Sequence, residues 1–124
     1  MCQRVFLITV SFLLLLSGCA TPAKYNWGNY DRSLYSYYKD PTKSQEHMVE
    51  ILNIIRDSEK TRGRVAPGIH AEYGYLLMQA NEVDGAVTQF MLEKEKWPES
   101  AYLMDSMLKI AKNVKSNKPL PLKE

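Results

Sequence analysis

Apolar residues recur every three to four positions along most of the chain, and no long run alternates between apolar and polar residues. This spacing is typical of amphipathic α-helices, whereas half-buried strands alternate every second residue. The most regular stripe is formed by Met48, Ile51, Leu52 and Ile55. The chain beyond residue 29 is therefore predicted to be helical nearly throughout.

Turn residues divide this region into five predicted helices. Asp40 and Pro41 indicate a helix start, with Asp40 as the N-cap and Pro41 in the first turn. The other breaks are predicted at Arg62-Gly63-Arg64, Ala66-Pro67-Gly68, Asn81-Glu82 and Trp97-Pro98. The remaining apolar stripes are Tyr30, Leu34, Tyr37 and Tyr38; Ile69, Tyr73, Leu77 and Ala80; Val83, Ala86, Val87, Phe90 and Met91; and Ala101, Met104, Leu108 and Ala111. Short connections place successive helices antiparallel, so we predict an all-α domain over residues 30–115 and a flexible tail over 116–124.

The 34 residues from 67 to 100 carry the spacing of a known repeat. The matching residues are Tyr73, Gly74, Leu77, Ala86, Phe90 and Pro98, at positions 7, 8, 11, 20, 24 and 32 of that window. The spacing resembles a tetratricopeptide repeat, a helix-turn-helix unit of 34 residues. His70 and Glu93 depart from the repeat at positions 4 and 27. We predict tetratricopeptide-like antiparallel hairpins with the fifth helix as a cap, and an ordinary helical bundle is the alternative.

The first residues follow a different pattern. Arg4 precedes twelve mostly apolar residues, Val5–Leu16, and small residues separate these from Cys19. A secretory signal has an apolar core of about 7–15 residues, whereas a membrane-spanning helix needs about 20. The sequence Leu-Ser-Gly-Cys over 16–19 resembles the lipobox of bacterial lipoproteins. The resemblance implies that residues 1–18 are a cleaved lipoprotein signal peptide and that the sulfur of Cys19 carries lipid, since a thiolate readily forms the thioether.

Lipidation predicts where the protein is located. Stable anchoring needs at least two acyl chains, and the resemblance implies a diacylglyceryl group on the sulfur of Cys19 and acylation of its new amine. Because Ala20 rather than aspartate follows the cysteine, the resemblance favours a lipid-anchored protein of the outer membrane that faces the periplasm. Residues 19–29 are predicted to be a lipidated tether. A disulfide between Cys2 and Cys19 is the disfavoured alternative, because Cys2 lies in the segment to be removed.

Composition and charge exclude several classes of protein. The chain of 124 residues is 45% hydrophobic and 24% charged, as in a globular domain rather than a disordered one. Its 16 basic and 14 acidic residues are interspersed and leave a net charge of +2, so no nucleic-acid binding is predicted. The run Glu93-Lys94-Glu95-Lys96 alternates in sign, which is typical of a solvated helix face. No cofactor and no small-molecule substrate are predicted.

The chain carries no recognisable catalytic motif. It has neither a glycine-rich phosphate loop nor a G-x-S-x-G elbow. His47 and Glu50 share a helix face beside Glu46, but the second histidine of a zinc motif and the paired Glu-x-x-His of a di-iron bundle are missing. His47 is therefore predicted to be solvated, and His70 to pack beside the turn at Pro67. We predict no enzymatic activity, with a metal-assisted hydrolase using His47, Glu46 and Glu50 as the least favoured alternative.

Aromatic residues are concentrated near the start of the helical region, at Tyr25, Trp27, Tyr30, Tyr35, Tyr37 and Tyr38. Tyrosine and tryptophan are enriched at protein interfaces. For Tyr30, Tyr37 and Tyr38, however, packing on the core face of the first helix is the favoured role, because small helical domains need such residues in their cores. In tetratricopeptide repeats the first helix of each pair lines the binding groove. By that resemblance the residues facing a protein partner would be Glu72, Tyr75, Met78 and Gln79, together with Tyr35.

Four motifs together resemble those of a family of small bacterial lipoproteins of unknown function. They are the lipobox, the segment YNWGNY over residues 25–30, Tyr73-Gly74 and Trp97-Pro98. Members of this family are often encoded beside another lipoprotein that resembles the curli secretion channel, which implies a multi-lipoprotein assembly. The predicted function is therefore a protein–protein interaction or assembly module in a cell-envelope complex. Regulation of a cell-wall synthase is the alternative function.

Overall fold

The computed structural model describes residues 24–116. Over this range it contains five α-helices and no strand, which confirms the predicted all-helical architecture. The helices are α1 (Tyr30–Lys39), α2 (Ser44–Lys60), α3 (Ile69–Gln79), α4 (Val83–Lys96) and α5 (Ala101–Ser116). Short 3-10 turns at Pro41–Lys43 and Pro98–Ser100 lead into α2 and α5. The predicted signal peptide, Cys19 and residues 117–124 of the predicted tail lie outside the described residues.

The helix ends lie where local sequence signals predict them. The Asp40 carboxylate accepts hydrogen bonds from the Thr42 hydroxyl at 2.7 Å and the Thr42 amide at 3.1 Å. These bonds hold the pKa of the Asp40 carboxyl below its ordinary value of 3.8. Asn81, in the connection between α3 and α4, has a left-handed backbone conformation with a φ of 65°. Gly68 precedes α3 with a φ of 90°, which glycine adopts without the steric cost of a Cβ.

Each helix packs mainly against its neighbours in the sequence, and the most extensive packing is between α3 and α4. A Cβ atom at Gly74 would lie 2.7 Å from the Phe90 ring and 3.2 Å from the Ala86 carbonyl oxygen. Phe90 and Ala86 are themselves completely buried. The small residue at position 74 is therefore what allows the two helices to pack at this distance.

Three residues that the stripes assigned to the core are exposed. Tyr38 is 79% exposed, Met91 is 58% exposed, and Ala80 is exposed at the end of α3. The reason is clearest for α1, which packs on one side only, so none of its residues is fully buried against the described part of the chain. The most deeply buried core residues include four stripe residues and two that no stripe contained; they are Ile51, Ile69, Phe90 and Met104, and Ile54 and Leu76.

Glu93 is buried, which corrects the prediction that it belongs to a solvated face. Its side chain has no exposed surface. One carboxylate oxygen, Oε1, accepts from the Gly68 amide at 2.8 Å and from the Ser100 hydroxyl at 3.3 Å. Glu93 thus joins the turn before α3 to the turn before α5. Its neighbour Glu95 is exposed.

Residues 24–29, which the sequence assigned to the tether, instead contact the helical domain. The Tyr25 ring packs edge-on against Trp97 with centroids 6.0 Å apart. Gly28 lies against Ile54 of α2, and the Asn29 amide donates to the Glu50 carboxylate at 2.7 Å. This segment is therefore part of the folded domain.

Candidate functional site

Helices α1 and α3 lie side by side and run parallel. The Tyr30 hydroxyl donates to Oε2 of Glu72 at 2.7 Å, and the Tyr37 hydroxyl donates to Oε1 of Gln79 at 3.4 Å. Both pairs join residues 42 positions apart, so the second contact is seven residues further along each helix. Residues seven apart lie on the same side of an α-helix after two turns. These two pairs therefore form a polar seam between parallel helices.

A buried histidine of α2 lies beneath this seam. His47 has no exposed surface, Nδ1 of its ring lies 2.8 Å from the Ser33 hydroxyl, and Nε2 lies 2.8 Å from Oε1 of Glu72. Its ring also packs against Tyr37 and Tyr30, at centroid distances of 5.6 and 5.7 Å. The prediction of a solvated His47 is therefore wrong, because partners 14 and 25 residues away surround it.

The Glu72 carboxylate is the acceptor at the centre of this network. Burial raises the pKa of the Tyr30 hydroxyl well above its ordinary value of 10.0, and the hydrogen bond and charge of Glu72 raise it further, as does the charge of Asp31. Tyr30 therefore keeps its proton at neutral pH and remains a donor. With His47 on the other carboxylate oxygen, Glu72 connects α1 and α2 to α3.

Ser33, His47 and Glu72 are the residue types of a hydrolytic triad, and they lie within hydrogen-bond distance of one another in that order. A triad needs the serine hydroxyl to donate to the histidine that acts as its base. Here the Ser33 hydroxyl donates to the Tyr30 carbonyl oxygen at 3.0 Å, within its own helix. Nδ1 of His47 lies within reach of the same hydroxyl at 2.8 Å, but His47 has no exposed surface that a substrate could reach. We therefore interpret the network as a structural connection between three helices.

The residues of the metal-site alternative do not converge. Both ring nitrogens of His47 already face Ser33 and Glu72, and Glu50 accepts from the Asn29 amide. Over residues 24–116, no three His, Cys, Asp or Glu side chains are grouped so that they could hold a metal ion. The geometry gives no support to a metal-assisted hydrolase built on His47, Glu46 and Glu50.

The five residues predicted to face a partner do not all share one surface. Tyr75 is 45% exposed, and its hydroxyl accepts from Nε2 of Gln79 at 2.9 Å. Glu72 is engaged in the seam, and Met78 packs partly against the core. Tyr35 is 62% exposed, but at about 100° per residue it lies roughly 140–160° around α1 from the two seam tyrosines. It therefore faces away from α3.

Unlike Tyr35, Tyr38 lies beside the seam. On α1, Ser33 lies on the side of the seam that contacts α2. Tyr38 lies on the other side of the seam, the side away from α2. On α3, the buried Leu76 and the exposed Tyr75 likewise lie on opposite sides of the line through Glu72 and Gln79. Tyr38 and Tyr75 thus flank the seam on its outer side. We call this surface the α1–α3 face, defined by Tyr30, Leu34, Tyr37, Tyr38, Glu72, Tyr75 and Gln79.

Two further apolar surfaces lie away from the α1–α3 face, one on α5 and one between α4 and α5. Leu103, Ile110 and Val114 are 58%, 47% and 41% exposed along one side of α5. A separate cleft of about 560 Å³ between α4 and α5 is lined by Val87, Met91 and Leu108 with charged side chains around them. Neither surface contains a residue that the sequence predicted to face a partner.

Comparison with known proteins identifies a family but no activity. The family model described as Domain of unknown function (DUF4810) matches residues 24–107, which is more than half of the chain. No curated protein and no solved structure matches the chain. Within residues 24–116, none of the helices is both long enough and apolar enough to cross a membrane. The matched range begins at the packed segment before α1 and includes the whole α1–α3 face. Because the match covers more than half of the chain, the chain belongs to the DUF4810 family.

Proposed function

We propose that this protein is an outer-membrane lipoprotein that binds another envelope protein through the α1–α3 face. The observation that carries the proposal is the pair of exposed tyrosines, Tyr38 and Tyr75, beside a seam that fixes α1 against α3. A tyrosine buries a large area on binding while its hydroxyl retains a hydrogen-bond partner. Such residues on a rigid surface are frequent energetic centres of interfaces.

The arrangement of the helices supports a tetratricopeptide-like interpretation of this surface. In stacked helical hairpins the first helices of successive repeats lie side by side, as α1 and α3 do. The close contact of Gly74 with Phe90 and Ala86 lies at the three positions where the repeat spacing calls for it. One departure is α5, because a terminal cap has a polar outer side, whereas α5 exposes Leu103 and Ile110.

The lipobox supports an anchor at Cys19 and therefore a membrane-proximal partner. Because Tyr25 and Asn29 pack on the domain, the packed segment begins six residues after Cys19, the proposed site of the lipid. This short connection favours a partner at the same membrane, such as a second lipoprotein. It disfavours the cell-wall synthase regulator, which has to reach across the periplasm.

The α1–α3 face can be tested with matched tyrosine substitutions. We expect Tyr38→Ala combined with Tyr75→Ala to reduce capture of the specific partner by about tenfold or more, since truncated interface anchors cost about 2 kcal/mol or more. Tyr35→Ala removes an exposed tyrosine that lies about 60° from Tyr38 around α1 and faces away from α3, so it should reduce capture less than the double substitution. The measurement is quantitative mass spectrometry of partners recovered from crosslinked cells, with circular dichroism confirming that each variant folds. Equal recovery by the double variant and the wild type would contradict the proposal.

A further inference from the structure

We propose that the surface around Lys24, Trp27 and Arg64 rests on the membrane that holds the lipid anchor and contacts its anionic phospholipid headgroups. We call this surface the basal face. The inference rests on the proposed lipidation of Cys19. It adds an orientation of the domain relative to the bilayer, which the anchor alone does not specify.

The length of the connection restricts which face can meet the bilayer. Lys24 is five residues after Cys19, and five residues span at most about 18 Å when fully extended. The chain then enters the domain at a fixed place, because Tyr25 packs on Trp97 and the Asn29 amide is bonded to Glu50. The part of the domain that carries Lys24 is therefore held within that distance of the acylated cysteine.

The side chains at this place suit a membrane interface. Trp27 is 43% exposed, and its ring is supported by Tyr25 and Tyr30 at centroid distances of 6.4 and 5.5 Å. Tryptophan and tyrosine are enriched at membrane–water interfaces, because their amphipathic rings sit at the level of the headgroups. Trp27 also lines a cleft of about 530 Å³ together with Lys24 and Arg64. The cleft thus combines an aromatic ring with cationic side chains.

The charge of the basal face is one-sided. Among the described residues that line its cleft, Lys24 and Arg64 are the charged ones, and no carboxylate is present. Arg64 is exposed, and its guanidinium is held over the Trp97 ring at 4.3 Å while it donates to the Lys96 carbonyl oxygen. Arg62, also exposed, lies between two further lining residues of the cleft. Basic residues next to a bilayer are attracted to anionic phospholipids, so the partner that matches this face is an anionic headgroup layer.

Tryptophan fluorescence can test this contact, because the chain contains two tryptophans and only one lies on the basal face in an exposed position. The mature lipidated protein is reconstituted into phosphatidylethanolamine–phosphatidylglycerol vesicles that carry a quencher at headgroup depth. We expect quenching in the wild type that is largely lost in Trp27→Phe, because the remaining Trp97 is only 8% exposed. Lys24→Gln combined with Arg64→Gln, or replacement of phosphatidylglycerol by phosphatidylcholine, should reduce the quenching by about twofold or more.

Three outcomes would overturn the inference, and they distinguish a failed contact from a failed anchor. Absence of Trp27 quenching in protein that is acylated and bound to vesicles would refute the basal contact and leave the lipoprotein proposal standing. Mass spectrometry that finds Cys19 without acyl chains would refute the anchor itself, and the basal contact with it. Equal quenching by wild type and Trp27→Phe would likewise refute the contact, because the signal would then not come from Trp27.

Discussion

Replacement of His47 by leucine should lower the free energy of unfolding by about 2–3 kcal/mol, measured by urea denaturation. Leucine has a similar volume, so the expected loss comes from the hydrogen bonds rather than from a cavity. The substitution leaves Oε1 of Glu72 and the Ser33 hydroxyl without their ring-nitrogen partners. A partly buried carboxylate that loses its donor bears a desolvation cost that the wild type does not.

The same substitution should act most strongly on α1. None of the residues of that helix is fully buried against the described part of the chain, and the shorter of its two hydrogen bonds to α3 is made to Glu72. We therefore expect limited proteolysis to cut α1 of His47→Leu before it cuts α4. Ser33→Ala is the matched control, because it removes one arm of the network and leaves the contact between His47 and Glu72 intact. If His47→Leu is as stable as the wild type, the network does not hold α1 in place.

Gly74→Ala should lower the free energy of unfolding by about 1–2 kcal/mol, although alanine is the better helix former. The new methyl group would lie within 2.8 Å of two atoms of the Phe90 ring and 3.2 Å from a backbone oxygen of α4. Phe90 is completely buried, so its ring has little room to move. For a domain of this size the loss corresponds to a fall of roughly 5–10 °C in Tm, measured by calorimetry.

Gly85→Ala is the control for this prediction, because it makes the same chemical change on α4. Its Cβ would meet only the flexible end of Leu77, at 3.3 Å. We expect this variant to match or slightly exceed the wild-type Tm, since alanine is favoured over glycine inside a helix. Adding Phe90→Leu to Gly74→Ala should remove the steric conflict but leave the cost of a smaller core residue. An equal Tm for Gly74→Ala and Gly85→Ala would show that α3 and α4 are not in close contact at Gly74.

The helices were predictable because their signals are local. The N-cap at Asp40, the left-handed residue Asn81 and the glycine before α3 each act within a few positions of the helix end they define. The apolar stripes of α2 and α4 also follow from spacing alone. The stripes do not predict which helices pack side by side. The parallel contact of α1 with α3 is therefore known only from the structure.

The errors in the sequence predictions have a common physical cause. His47 and Glu93 are buried because their partners, Glu72 and Gly68, come from other helices or turns 25 residues away. The spacing of residues along the chain does not identify such distant partners. A charged residue with no partner nearby in the sequence is most often solvated. Tyr38 was misassigned for the converse reason, because α1 packs on one side only and its stripe was wide enough to include an exposed residue.

The candidate site was predictable only in part. The exposure of Tyr75 and Gln79 follows from the repeat spacing, because both lie on the side of α3 opposite its buried residues. Tyr35 was selected for its residue type, and the side of α1 on which it lies depends on where α2 and α3 pack. The segment over residues 24–29 resembled a tether by its glycine and asparagine content, yet Tyr25 and Trp27 pack against the domain.

Site-specific photocrosslinking in living cells is the most direct test of the proposed interface. A photoreactive phenylalanine derivative is introduced in place of Tyr38, Tyr75 or Tyr35, one position at a time, in the full-length protein. We expect one discrete envelope protein to be crosslinked from positions 38 and 75, and more weakly from position 35, which faces away from α3. Crosslinking of that protein from position 35 alone, or no crosslink from 38 and 75 in membrane-anchored protein, would contradict binding through the α1–α3 face.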